Sequence, residues 1–350
     1  MTNTLQIGSY VISQATPTFI IAELSANHNQ DIEIALRTVK AAKKAGADAI
    51  KLQHYTPDTI TMDSNKEYFQ INQGLIWDGI TLYQLYKDAY MPWEWTGAIM
   101  NAAKEEGLVC FSSPFDRTAV DFLEKFNVPA YKIASYEITD IPLIKYVASK
   151  GKPVIISTGI ATLADIELAV ETCHKAGNHQ IALLKCSSAY PAPLEEMNLL
   201  TIPNLAETFN VIVGLSDHTL SNAVPSAAVA LGARIVEKHF ILDKVLGGPD
   251  ASFSLDPVEF AAMVSSVRET EKALGKIDYE LSKKAIKARE HSRSLFVVKD
   301  VLKGEVFTND NVRSIRPGFG MHTKHFEEIL GKKASMDIEK GTPMDWGLIS

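Results

Sequence analysis

Eight short runs rich in Ile and Val, each close to continuously apolar, alternate with longer stretches of helical periodicity through about residue 275. The runs fall at residues 19–24, 49–53, 108–113, 130–135, 153–158, 181–187, 211–217 and 234–240. A strand that is apolar at successive rather than alternate positions is covered on both faces, as parallel strands are. Helical patterns over 32–45, 118–126, 163–176 and 223–231 supply the covering layer. The spacing predicts an α/β protein, a closed (β/α)8 TIM barrel. An open doubly wound sheet is the alternative, and the count of eight favours closure.

Two departures from a plain barrel stand out. The stretch 63–95, between the second and third strands, is too long for a simple connection and holds Trp77, Trp93 and Trp95; such an insertion is expected to be a lid or binding loop. Beyond a barrel at 1–275, residues 276–291 read as a charged linker, helical in pattern as far as Arg293, and 292–350 as a small second domain. That domain carries an internal echo, Asp300-Val301-Leu302-Lys303-Gly304 and Asp337-Ile338-Glu339-Lys340-Gly341, each copy a turn closed by glycine.

Composition narrows the function classes. Hydrophobic residues make up 46% and charged residues 22% of 350, the balance of a water-soluble globular chain. No apolar run reaches the roughly 18 residues of a membrane span, and the N-terminus has no signal-peptide layout; the expectation is a cytoplasmic protein without a membrane partner. A net charge of −7 with no basic stripe argues against nucleic acid. Cys110, Cys173 and Cys186 fit neither a disulfide framework nor zinc spacing and are expected to be reduced core thiols.

In such a barrel the active site lies at the C-terminal mouth of the strands. All eight runs end in polar residues: Glu23; Lys51 and Gln53; Ser112 and Ser113; Lys132 and Ser135; Ser157 and Thr158; Lys185, Ser187 and Ser188; Ser216, Asp217 and His218; Glu237 and His239. Burying so many polar groups over an apolar barrel is costly unless they meet one another or a ligand. Lys51 and Lys132 with the serines suit an anion bearing phosphate and carboxylate groups, although a Schiff-base lysine is a competing reading. His218 and His239 close adjacent strands and could share one divalent ion; packed or hydrogen-bonded histidines are the plainer alternative. Glu23 could act as a base, or pair with Lys51, or both, while His28 is expected to order its loop. Gly247-Gly248-Pro249-Asp250 turns Asp250 toward the mouth, since Asp256-Pro257 is the better helix start.

These motifs carry a family resemblance. Ile21-Ala22-Glu23 with Asn27-His28-Asn29, Lys51-Leu52-Gln53, Tyr131-Lys132-Ile133-Ala134-Ser135, Ser157-Thr158-Gly159, Tyr190-Pro191, Gly214-Leu215-Ser216-Asp217-His218-Thr219 and Glu237-Lys238-His239-Phe240 occur in the order seen in the sialic acid synthase family. Arg316-Pro317-Gly318 lies in a C-terminal unit resembling the antifreeze-like (SAF) domain of those enzymes. The resemblance implies a phosphoenolpyruvate-dependent transferase with a divalent metal, manganese or magnesium, on His218 and His239. It implies phosphoenolpyruvate held by Lys51, Gln53, Lys132, Ser135, Ser157 and Ser216, with Ser112 and Ser188 beside them. Glu23, Glu137, Tyr190 and Asp250 fall where the family handles sugar and water, with Glu23 or Asp250 as the acid–base group. It also implies a domain-swapped homodimer whose Arg316 contacts the N-acetylated amino sugar of the partner's site.

Within the family, Leu24-Ser25-Ala26 before Asn27-His28-Asn29-Gln30, and the loop with Trp77-Asp78-Gly79 and Tyr90-Met91-Pro92-Trp93-Glu94-Trp95, resemble the pseudaminic branch. Ser188 stands where the sialic enzymes usually carry Asn. The expected sugar is a 2,4-diacetamido-2,4,6-trideoxy-altrose, with Trp77 and Trp93 as apolar bulk against it. Condensation with the sialic or legionaminic precursor is the nearest alternative; a non-catalytic carbohydrate-binding or polysaccharide-assembly protein of the same fold is the alternative from another class.

Overall fold

The computed structural model describes residues 4–72 and 77–350, which fall into two units, Met1–Gly275 and Lys276–Ser350. The first opens with an antiparallel hairpin, β1 (Leu5–Ile7) and β2 (Tyr10–Ile12). Eight parallel strands follow: β3 (Phe19–Glu23), β4 (Ala49–His54), β5 (Val109–Pro114), β6 (Tyr131–Ile133), β7 (Val154–Ser157), β8 (Ile181–Cys186), β9 (Ile212–Asp217) and β10 (Ile235–His239). They close in sequence order, with β10 pairing back onto β3. The barrel predicted by the eight apolar runs is the barrel observed.

Outside it lie α1 (Ile32–Lys44), α2 (Pro57–Ile60), α3 (Leu82–Ala89), α4 (Thr96–Glu105), α5 (Arg117–Glu124), α6 (Ile141–Ala148), α7 (Leu163–Lys175), α8 (Thr201–Phe209), α9 (Ala223–Ala230) and α10 (Pro257–Leu274). Their starts are written locally. Asp31 and Asp116 accept from the first-turn amides of α1 and α5, and Asp256 caps α10 in a capping box with Glu259 ahead of Pro257.

Alternation along each strand explains how the barrel positions a site. Inward-facing Phe19, Ile21, Ala49, Phe111, Ile155, Ala182, Ile212 and Ile235 form one cluster with Leu5, Ile7 and Ile12, so the hairpin plugs the N-terminal end. Outward-facing Ile20, Ala22, Ile50 and Leu52 pack with Val39 of α1 and Phe260 of α10. Moving two residues on from the inward apolar layer brings Glu23, Lys51, Ser113, Ser157 and Glu237 to the same inner face, one layer higher. The interior is thus apolar below and polar at its mouth. On β9 the step between Ile212 and Ser216 is Gly214, where a Cβ would run into the Ile235 carbonyl and Leu184.

Some boundaries differ from expectation. β6 ends at Ile133, and Ser135 opens a 3-10 turn, Ser135–Thr139. The helix expected across 276–293 shrinks to α11 (Lys283–Ala288) and one further turn. Ile277 and Tyr279 stand 91% and 94% exposed, so no apolar face is buried to hold a longer helix.

The second unit pairs β11 (Ser294–Val297) with β12 (Val312–Ile315) and adds α12 (Phe326–Ile329) over a core of Leu295, Val297, Phe307, Val312 and Met344. The two echoed turns meet reciprocally. Asp300 accepts from the Lys340 amide at 2.8 Å, and Asp337 accepts from the Lys303 amide at 2.7 Å. Among the described residues the three cysteines are free and buried, and no helix is long and apolar enough to cross a membrane.

Candidate active site

A cavity of about 450 Å³ opens at the C-terminal mouth of the barrel. Its floor is a buried charge cluster. Lys51 Nζ lies 3.0 Å from Glu23 Oε1 and 3.0 Å from Glu237 Oε1, and Lys132 Nζ lies 3.5 Å from that Glu237 oxygen. Gln53 donates to Glu23 Oε1 at 2.7 Å, Lys132 to Ser157 Oγ at 2.6 Å, and Ser216 to Glu237 Oε1 at 3.0 Å. Two ammonium groups and two carboxylates therefore meet here: the Glu23–Lys51 pair is one of the readings the sequence leaves open, and Glu237 adds the second carboxylate.

The charges support one another against desolvation. Burial opposes ionisation of Glu23 and Glu237, but the ammonium groups of Lys51 and Lys132 override it and hold both carboxyls below the ordinary range. Burial likewise works against the Lys51 ammonium, and its two carboxylate partners raise it above the usual lysine value. Lys132 comes out lowered, because burial and repulsion from Lys51 exceed the pull of Glu237.

Beside this floor, Ser135 accepts from the Gly159 amide at 3.1 Å. A side chain at position 159 would strike the Ser135 and Ser188 hydroxyls, so glycine keeps the three groups together. Among the described residues, Ser188 Oγ and Ser113 Oγ are buried without a hydrogen-bond partner. An anion's oxygens could complete such buried, unsatisfied hydroxyls.

His218 and His239 face each other with ring centroids 5.3 Å apart. His218 Nδ1 is 2.8 Å from the Ser187 carbonyl, which makes that nitrogen a donor, so in the neutral ring Nε2 carries the lone pair. His239 lies 3.4 Å from Glu23 and 3.7 Å from Asp250, and among the described residues its Nδ1 is buried without a hydrogen bond. Burial outweighs those two carboxylates and keeps the His239 imidazole below its ordinary value. Asp250 also accepts from the Ala26 amide at 3.3 Å, while Asp256 is the helix cap, as the turn chemistry indicated.

The upper wall is apolar. Ile60, Ile71, Trp77, Leu82, Leu85 and Tyr86 of the β4–β5 insertion line it, facing Tyr190 and Phe253. Trp77 Nε1 donates to the Pro249 carbonyl at 3.1 Å, joining the insertion to the Asp250 loop. Glu137 lines the same cavity, with Oε2 buried and unpartnered among the described residues; burial, only partly countered by Lys132, raises its carboxyl to about 7.

The structure thus gathers Glu23, Lys51, Gln53, Lys132, Ser135, Glu137, Ser157, Tyr190, Ser216, His218, His239 and Asp250 around one cavity. Ser112 is a correction. Its hydroxyl lies 2.7 Å from His54 Nδ1, on the outer face of β5, while Ser113 faces the barrel interior; neither Ser113 nor Ser188 lines the cavity. Trp93 is another, since it packs on Phe122 at 4.9 Å and donates to the Tyr55 carbonyl, outside the cavity. His28 accepts from the Gln30 amide and orders its loop, as expected. Arg316 follows β12 in the second unit and is exposed to solvent. Glu237 was visible at a strand end but went unassigned; its partnership with both lysines depends on register across three strands.

Comparison with known proteins agrees with this architecture. The NeuB family model matches residues 38–279, and the SAF domain model matches residues 292–349. A pseudaminic acid synthase from Campylobacter jejuni is 51% identical, covering 96% of this chain and 97% of its own. One from Helicobacter pylori is 46% identical, covering 94% and 96%. The crystal structure of an N-acetylneuraminic acid synthetase from Leptospira borgpetersenii, in complex with citrate, superposes with a TM-score of 0.73 at 32% identity, over 82% of this chain and 95% of that one. The chain belongs to the NeuB family of sialic acid synthases and carries a C-terminal SAF domain.

Proposed function

We propose that this enzyme condenses phosphoenolpyruvate with 2,4-diacetamido-2,4,6-trideoxy-L-altrose, adding water and releasing phosphate to form a pseudaminic acid. The observation that carries the reading is the layering of one cavity, with Lys51 and Lys132, their carboxylate partners and the Ser135, Ser157 and Ser216 hydroxyls at the floor beneath an apolar wall. The floor suits a small, multiply charged anion; the wall suits a sugar in which methyl and acetamido groups replace hydroxyls. The identities of 51% and 46% to two pseudaminic acid synthases favour this sugar over the N-acetylneuraminic precursor.

In this scheme Lys51 and Gln53 hold the carboxylate of phosphoenolpyruvate. Lys132, Ser113, Ser135, Ser157, Ser188 and Ser216 surround the phosphate. His218 and His239 would hold a divalent metal, manganese or magnesium. Their fit rests on the orphaned His239 Nδ1 and on the Ser187 contact that leaves His218 Nε2 free. No set of three or more candidate ligands is arranged for a metal among the described residues, so water and substrate oxygens would complete the shell. When bound, the metal supplies Lewis-acid polarisation of the sugar's aldehyde oxygen.

The methylene carbon of phosphoenolpyruvate forms the new carbon–carbon bond at the aldehyde carbon, whose oxygen becomes a hydroxyl. Water adds at the carbon bearing the phosphate, and the carbon–oxygen bond then breaks as phosphate leaves. Glu23, ionised and 3.4 Å from His239, or Asp250 on that ring's other side, takes the proton released by the water. Lys132 stabilises charge on the departing phosphate.

The enzyme works as a homodimer in this proposal, with Arg316 of one copy reaching the sugar's N-acetyl group in the other. It resides in the cytoplasm, where phosphoenolpyruvate is made. Phosphoenolpyruvate carrying oxygen-18 at its bridging position tests the chemistry: the label should leave in phosphate, and label retained in the sugar acid would exclude carbon–oxygen cleavage.

A further inference from the structure

Asp217 and Lys238 each stand one residue before a histidine of the proposed metal pair. β9 and β10 are in register with Lys238 opposite Asp217. Since successive side chains on a strand point to opposite faces, both lie on the outer side of the barrel wall while His218 and His239 lie on the inner side. Neither residue lines the cavity.

On that outer side the pair is sealed from solvent, with Lys238 Nζ 2.7 Å from Asp217 Oδ2 and both side chains 0% exposed. The other carboxylate oxygen accepts from the Thr219 amide at 2.9 Å, and the Thr219 hydroxyl reaches Asp217 Oδ2 at 3.2 Å. The same lysine donates to the Thr219 carbonyl. The backbone on both sides of His218 is therefore tied to the strand that carries His239.

Burying two charges costs several kcal/mol per ion, and an apolar pair of similar volume is often as stable or more so. Stability alone therefore gives little reason for an ion pair here, whereas geometry does. The link fixes the separation and facing of two imidazoles that, among the described residues, have no third protein ligand to align them. We infer that Asp217 and Lys238 are positioning residues that hold His218 and His239 at ion-sharing distance, and so set the affinity of the chain for its divalent metal. The inference rests on the metal reading proposed above.

The test is direct manganese binding to the full-length chain, followed by the electron paramagnetic resonance signal of free ion, with no turnover required. Lys238→Met and the doubly neutral Asp217→Asn/Lys238→Met should bind manganese about 10- to 100-fold more weakly than the parent, the loss typical of removing a partner that orients a metal ligand. Turnover of both should recover as manganese is raised. Their KM for phosphoenolpyruvate at saturating metal should stay within about twofold of the parent, a split that general loosening of the barrel would not give. Lys238→Arg should restore part of the affinity. If Lys238→Met does not fold, because it leaves a buried carboxylate unpaired, the double variant carries the test.

A folded double variant that binds manganese within about twofold of the parent overturns the inference, as does lost turnover that no metal concentration restores. A parent chain that binds no manganese overturns the metal reading itself, and this inference with it.

Discussion

The Lys51 ammonium sits 3.0 Å from the Glu237 carboxylate, with both side chains at most 3% exposed. Neither charge has water to fall back on; Lys51 is shared with Glu23, and Glu237 keeps Lys132 at 3.5 Å. Lys51→Met should cost about 3 to 5 kcal/mol of stability, because it strands a buried carboxylate, and should raise the KM for phosphoenolpyruvate. Lys51→Met/Glu237→Gln, which leaves Lys132 as the remaining ammonium for Glu23, should recover part of the stability and none of the phosphoenolpyruvate affinity. Denaturant unfolding and steady-state kinetics on the two variants separate the effects.

Ser112 and Ser113 are neighbours with opposite surroundings. Ser113→Ala should leave the melting temperature near that of the parent and raise the KM for phosphoenolpyruvate about tenfold, the order of one hydrogen bond to a charged group. Ser112→Ala should do the reverse. It leaves His54 Nδ1 buried without its partner, at a cost of about 1 to 3 kcal/mol, with phosphoenolpyruvate binding little changed. Thermal melts and initial rates on both variants check the pair.

Glu137 gives the site a pH dependence. Burial raises its carboxyl to about 7 from an unfolded value near 4.5. The neutral form is thus the one folding favours: its contribution is complete below about 4.5 and is lost as pH rises through about 7. A neutral carboxyl facing the cavity can donate a hydrogen bond to the sugar. KM for the sugar should therefore climb as pH rises through about 7, and Glu137→Gln should flatten the profile. A profile from pH 5.5 to 8.5 at saturating metal and phosphoenolpyruvate reads it.

Leu85 and its neighbours on α3 give the cavity its apolar wall. Leu85→Gln should narrow the preference for a 6-deoxy sugar over its 6-hydroxy analogue by about 1 to 3 kcal/mol in kcat/KM, the scale on which a pocket discriminates one small apolar group. Competition between the two sugars measures the ratio.

The barrel was legible because its strands are apolar on both faces, a pattern that leaves few architectures open. The polar crown was legible too, since twelve of the residues singled out from the sequence line the cavity. What escaped was facing and partnership. Ser112 was chosen from its place in the run, although counting by twos from inward-facing Phe111 leads to Ser113. Trp93 and Trp77 look alike in the sequence, and only the path of the insertion decides which reaches the cavity. Glu237 reads as one strand-end carboxylate among several until closure sets β10 and β4 on either side of β3, where it meets Lys51. The linker helix failed for a different reason: charged residues of helical pattern do not make a helix without a face to bury.

The most direct measurement is phosphate release, with manganese present, from phosphoenolpyruvate paired in separate reactions with the diacetamido-trideoxy-altrose and with N-acetylmannosamine. Release with the altrose sugar, and little or none with N-acetylmannosamine, is the expected result. Release with N-acetylmannosamine alone would contradict the sugar assignment, and release with neither would contradict the condensation.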